Sequence, residues 1–125
     1  MSLLSAIVDE LRIALKKRDY NSLTPVQNAV LSEDVRNKDL LVSAQTGSGK
    51  TVAFGLAMAP NLLIKFNKLE RSIFPVGLVI APTRELALQV KREFFWLYAE
   101  TSLTLASCVG GMDIRSEKKV LEKGA

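Results

Sequence analysis

The segment Ala44-Gln45-Thr46-Gly47-Ser48-Gly49-Lys50-Thr51 constrains this chain more than any other, because a glycine-rich loop closed by Lys-Thr must curl tightly between two regular elements. Before it, Leu40, Leu41 and Val42 form a short apolar run bounded by polar residues, which predicts a strand over 39–44 covered on both faces. After it, the residues from Lys50 onward predict a helix, with Pro60 as a kink or break. Gly47 and Gly49 put no Cβ in the way of the turning backbone, so its amides can point inward. The helix N-terminus adds the positive end of its dipole. A cradle of this kind fits the oxygens of a polyphosphate.

The order of residues follows GxxxxGK[ST], the pattern of a phosphate-binding P-loop, with Ala44 in the place of the first glycine, where a small residue suffices. In a nucleotide site Lys50 would place its ammonium between the β and γ phosphates, and the Thr51 hydroxyl would bind the Mg²⁺ that bridges them. The expected nucleotide ligands are Gln45, Thr46, Gly47, Ser48, Gly49, Lys50 and Thr51, with Lys50 and Thr51 nearest the chemistry. A plain glycine turn capping a helix is the alternative.

Around this loop the chain alternates strand and helix patterns. Leu4, Ile7, Val8, Leu11, Ala14 and Leu15 recur at three- and four-residue steps, predicting an opening helix that ends near Arg18 and buries one face. Thr24-Pro25-Val26-Gln27 reads as a helix start, with Thr24 as N-cap, Pro25 where no amide partner is needed and Gln27 closing a capping box, and a short helix runs on to about Leu31. Further strands are predicted over 76–81 and 103–109, with helices from Arg84 to about Tyr98 and from Ile114 to about Lys123, where Gly124 is the C-cap. Strands alternating with helices imply right-handed crossovers, hence an α/β fold with a parallel sheet and flanking helices. Residues 1–38 form the helical entry, and 39–125 carry the sheet, in one domain or less at 125 residues.

Composition narrows the setting. With 48% apolar and 24% charged residues the chain is expected to pack a core. The run 52–64 is broken by Gly55, Pro60 and Asn61 and is too short to span a bilayer, so no membrane association is expected; nor is a secretion signal. One cysteine, Cys108, and no histidine exclude an internal disulfide and the usual zinc sites, which fits a reducing cytoplasm. A formal charge of +4 suits a polyanionic partner, although charges such as Lys65, Lys68, Glu70 and Arg71 read equally well as a solvated face.

Three further motifs stand in a fixed order about the P-loop. Thr24-Pro25-Val26-Gln27 lies about two dozen residues upstream of Lys50, Pro82-Thr83-Arg84-Glu85-Leu86-Ala87 follows the second predicted strand, and Gly110-Gly111 follows the third. With AQTGSGKT these resemble the Q, PTRELA and GG motifs of the DEAD-box RNA helicases, and the resemblance covers nearly the whole chain. It implies the front part of a RecA-like P-loop NTPase domain that takes ATP and Mg²⁺. Tyr20 matches the aromatic position of the Q motif, and Gln27 is implied to read adenine, which suits an amide offering one donor and one acceptor face. Pro82, Thr83, Arg84, Gly110 and Gly111 are implied to hold RNA, single-stranded or in an A-form duplex, by its backbone. From the residues alone, the favoured reading is Thr83 as a helix cap and Arg84 as a surface arginine.

Asp19 stands where the motif usually begins with glycine, and Leu23 where it has proline. The aromatic residue that the family places upstream to stack on adenine has no counterpart, since Leu3 and Leu4 occupy that region, so weaker or less selective nucleotide binding is expected. Hydrolysis needs an Asp-Glu pair closing an apolar strand. Neither Asp9-Glu10 nor Glu33-Asp34 is so placed, and the chain is expected to be an incomplete domain without ATPase or unwinding activity of its own. In the family's sheet the first two strands here are separated by others, so an open slot between apolar edges, with swapped or dimeric packing, is expected. A DNA helicase or translocase of the same superfamily and a nonenzymatic nucleotide-binding module are the competing readings.

Overall fold

The computed structural model describes residues 3–68 and 74–125; the charged stretch through Glu70 and Arg71 lies outside them. A 3₁₀ turn at Leu3–Ala6 leads into α1 (Asp9–Lys17), followed by α2 (Pro25–Leu31), a second 3₁₀ turn (Glu33–Val35), α3 (Lys50–Lys68), α4 (Arg84–Leu97) and α5 (Ile114–Glu122). The opening helix therefore starts at Asp9, later than the apolar spacing suggested. Asp9 and Glu10 in its first turn and Lys16 and Lys17 in its last complement the helix dipole, and these charges mark its ends better than the periodicity does.

The core lies among the helices. Ile7, Leu11 and Leu15 from the entry region meet Val30 and Leu31 of α2, Val52, Ala53, Leu56 and Ala59 of α3, and Phe94, Leu97 and Tyr98 at the end of α4. Each large side chain removed from water there contributes about 1.5–3 kcal/mol. Gly55 lets α3 and α4 approach closely, since a Cβ at this position would run into the Leu97 side chain. At the same crossing the Tyr98 hydroxyl donates to the Gly55 carbonyl at 2.6 Å, and burial pushes the phenol well above its ordinary pKa. Pro60 does not end α3, which continues to Lys68; the preceding turns are anchored by the buried Val52, Ala53, Leu56 and Ala59, enough to carry the helix past one missing hydrogen bond.

The predicted parallel sheet is not formed among the described residues. Segments 39–44, 76–81 and 103–109 are all irregular, with no strand pairing. Leu41 is 101% exposed, Leu78 80% and Ile80 86%, the reverse of strands covered on both faces. A strand is held by its neighbour's ladder, and apolar sequence alone supplies no partner. Between the first two segments lies an open groove of about 1130 Å³, lined by Leu40, Val42, Leu78, Ile80, Val90 and Phe94. The third segment is tied to α4, where Lys91 Nζ donates to Ser107 Oγ at 3.2 Å. Among the described residues no helix is long and apolar enough to cross a membrane.

The end of α1 accounts for Asp19. The Asp19 amide donates to the Lys16 carbonyl and the Tyr20 amide to that of Leu15, the paired bonds of a Schellman cap, with Asp19 left-handed at φ 57°. This is a glycine position. Asp19→Gly is expected to stabilise the chain by about 0.5–1 kcal/mol, seen as a higher urea midpoint with an unchanged m-value.

Candidate functional site

The P-loop turn closes as its residues dictate. The Ser48 amide donates to the Gln45 carbonyl at 3.2 Å, and Gly47 and Gly49 stand at φ 81° and 86°, conformations that carry the backbone round without strain only at glycine. A helix leaves the turn at Lys50, as predicted, and the entering segment is irregular, not the predicted strand. The Lys50 ammonium is folded back onto the loop, donating to the Ala44 carbonyl and, at 3.1 Å, to that of Gln45. Among the described residues, Ser48 Oγ is a buried side-chain oxygen with no partner. Two left-handed glycines, an inward lysine and an unsatisfied hydroxyl beside a helix N-terminus fit an anion with several oxygens.

Gln27 sits against this turn and is 1% exposed. Its Oε1 accepts from the Thr24 amide at 3.0 Å while the Gln27 amide donates to Thr24 Oγ1, so the predicted capping box is present. Its Nε2 donates to the Gly49 carbonyl at 3.3 Å, across 22 residues of sequence. The same carbonyl accepts the first helical bond of α3, from the Ala53 amide. Gln27 thus joins the start of α2 to the phosphate turn, and an amide keeps one further hydrogen and one further lone pair for a ligand. No local pattern in the sequence signals this bond.

Tyr20 lies elsewhere on the surface of this unit. Its ring packs on Trp96 with centroids 5.6 Å apart, and the Arg18 guanidinium stands 5.0 Å over the same indole, so these residues join the end of α1 to the end of α4. Lys17 pairs with Glu100 at the same junction.

The remaining motif residues meet at the other end of α4. Thr83 Oγ1 caps the helix by accepting from the Leu86 amide at 3.2 Å, which leaves its own hydroxyl hydrogen available. Gly110 and Gly111 form a turn in which the Met112 amide donates to the Val109 carbonyl, with Gly111 at φ 80°. Arg84 reaches across to it: Nη2 donates to Met112 Sδ at 3.4 Å, and Nη1 lies 3.0 Å from where a Cβ on Gly111 would stand. Thr83, Arg84 and the glycine pair, 26 residues apart in sequence from Arg84 to Gly110, therefore make one exposed strip with Pro82 at its edge. Met112 belongs to it and was not singled out by sequence, because a thioether carries no motif signal.

Comparison with known proteins shows the family. The sequence profile of the DEAD/DEAH box helicase family matches residues 24–125. The DEAD-box ATP-dependent RNA helicase CshA of Geobacillus kaustophilus is 33% identical over 114 residues, covering 91% of this chain and 23% of that protein. The mitochondrial DEAD-box ATP-dependent RNA helicase 9 of Arabidopsis thaliana is 41% identical, covering 94% of this chain and 19% of its own. Among solved structures, the RNA-helicase Prp28 from Chaetomium thermophilum bound to ADP superposes with a TM-score of 0.80 at 31% identity, over 96% of this chain and 29% of that one. The chain thus spans about a quarter or less of the length of these curated relatives. With the family profile matched from the capping threonine Thr24 through the glycine turn to Ala125, and with relatives sharing a third or more of its residues, this chain belongs to the DEAD/DEAH box helicase family.

Proposed function

We propose that this chain is the ATP- and RNA-binding portion of a DEAD-box RNA helicase, a protein that remodels RNA duplexes at the expense of ATP. The observation that carries the reading is the bond from Gln27 to the Gly49 carbonyl, which couples an adenine-reading amide to the phosphate cradle. In this reading Gln27 turns its remaining donor and acceptor to the N6 and N7 edge of adenine. Gln45, Thr46, Gly47, Ser48 and Gly49 present the loop to the phosphates, Lys50 swings off the Ala44 and Gln45 carbonyls onto the β and γ oxygens, and Thr51 holds Mg²⁺. A metal held by Thr51 would supply charge neutralisation to the phosphates. Tyr20, the motif's aromatic position, packs on Trp96, so this reading gives it no part in holding the base. Pro82, Thr83, Arg84, Gly110 and Gly111 form the track for the RNA backbone, with Thr83 and Arg84 donating to phosphate oxygens.

The three irregular segments become strands of a parallel, RecA-like sheet in this reading, and the groove beside Leu40, Leu78 and Ile80 takes further strands of the whole protein. The small coverage of the relatives supports this. In the isolated 125-residue chain a second copy is the alternative occupant, and sedimentation velocity separates the two. A reducing cytoplasm is the proposed compartment, consistent with Cys108 being an exposed free thiol.

The test is ATP hydrolysis by the whole protein with RNA and DNA of one sequence in competition. RNA-stimulated turnover in which RNA competes better than DNA is expected. Equal competition by DNA would move the assignment to a DNA translocase, and nucleotide binding without any turnover would leave a nonenzymatic module.

A further inference from the structure

We infer that Met112 is a positioning residue that aims the Arg84 guanidinium at a nucleic-acid phosphate. The inference rests on the reading of Arg84 as an RNA contact. Arginine brings a rotamer-rich side chain to a surface, and an anion gains most from it when the fork is already oriented. Here the fork lies across the Gly111 turn, with Nη2 on Met112 Sδ at 3.4 Å and Nη1 close over the glycine. A Cβ at 111 would crowd the fork and strain a backbone at φ 80°.

The chemistry of the partner matters. A carboxylate in that place would pair with Arg84 and compete with phosphate, whereas a thioether is a weak, uncharged acceptor that orients the fork and leaves its charge intact. The two acids that follow Met112 most closely are both engaged elsewhere. Asp113 accepts from the Arg115 amide at 3.0 Å and from the Ser116 hydroxyl at 2.9 Å as the cap of α5. Glu117 accepts from the Val109 amide at 3.0 Å, which also holds the glycine turn in place. Backbone duties thus keep these carboxylates off Arg84, and sulfur is its partner.

The experiment uses the whole protein, a fluorescent single-stranded oligouridylate and a nonhydrolysable ATP analogue, with binding measured over a salt series. Met112→Leu keeps the volume of a half-exposed side chain and removes the acceptor; it is expected to weaken binding about threefold to tenfold. Met112→Gln places an amide oxygen within reach of the same fork and is expected to restore most of the loss. Arg84→Ala is expected to make the salt slope shallower by about 0.7, the share of one single-strand phosphate. Adding Met112→Leu to Arg84→Ala should then change nothing further. A neutral Met112→Leu beside a weakened Arg84→Ala would sink the inference while leaving the RNA reading intact. So would a Met112→Leu loss of equal size in both backgrounds, or a glutamine variant no better than leucine. If Arg84→Ala binds as the wild type does, the phosphate reading fails and the inference with it.

Discussion

Gly49→Ala is expected to abolish nucleotide binding, with a loss of at least about a hundredfold in affinity by titration with a fluorescent ATP analogue. Gly49 is left-handed at φ 86°, which costs an L-residue about 1–2 kcal/mol. Its new Cβ would stand 2.5 Å from Gln27 Nε2 and 3.4 Å from Thr24 Cγ2, so the buried glutamine must move. Moving it breaks the bond to the Gly49 carbonyl and opens the capping box, leaving a buried amide unsatisfied at about 1–3 kcal/mol and losing a helix cap at about 1 kcal/mol. The substitution therefore deforms the cradle and loosens α2 together. Gly47→Ala is the control: it carries a similar φ, 81°, but its Cβ would meet nothing within 4 Å, so it should show the backbone strain alone. If the two variants lose affinity equally, the contact between Gln27 and the turn has no functional weight.

Lys50→Ala is expected to lower RNA-stimulated ATP hydrolysis by the whole protein about 10²- to 10³-fold or more while leaving the thermal midpoint nearly unchanged. The split follows from where the side chain sits. Its ammonium is satisfied by the Ala44 and Gln45 carbonyls at a half-exposed turn, where water can replace it, so deletion strands no buried charge. In the proposed nucleotide complex the same ammonium would face the β and γ phosphates, where its charge-assisted bonds would have no substitute. Unaltered turnover in this variant would remove the P-loop from the mechanism.

Much of the site was legible in the sequence because its signals are local. Thr24-Pro25-Val26-Gln27 specifies its own capping box within four residues, Thr83 caps α4 three residues ahead of Leu86, and the spacing of glycine and lysine sets the P-loop turn. Asp19 was read only as a departure from the family motif; its left-handed cap needed coordinates, since any residue can be forced into that conformation when the surrounding bonds demand it. The apolar runs at 39–44, 76–81 and 103–109 led to three strands being expected, yet no strand or ladder forms among the described residues, because strand pairing is a property of neighbours and not of a segment.

Sequence by itself determined the caps at Thr24 and Thr83, the glycine turn that leads into the helix at Lys50, and which family the motifs resemble. Only the tertiary structure decided that Gln27 locks onto Gly49, that Arg84 lies over Gly111 beside Met112, and that Tyr20 packs on Trp96 at the opposite end of α4. The physical reason is range. Caps and turns are settled by bonds between residues a few positions apart, whereas these three contacts join residues 22, 28 and 76 positions apart, and packing of the shared helical core is what brings them together.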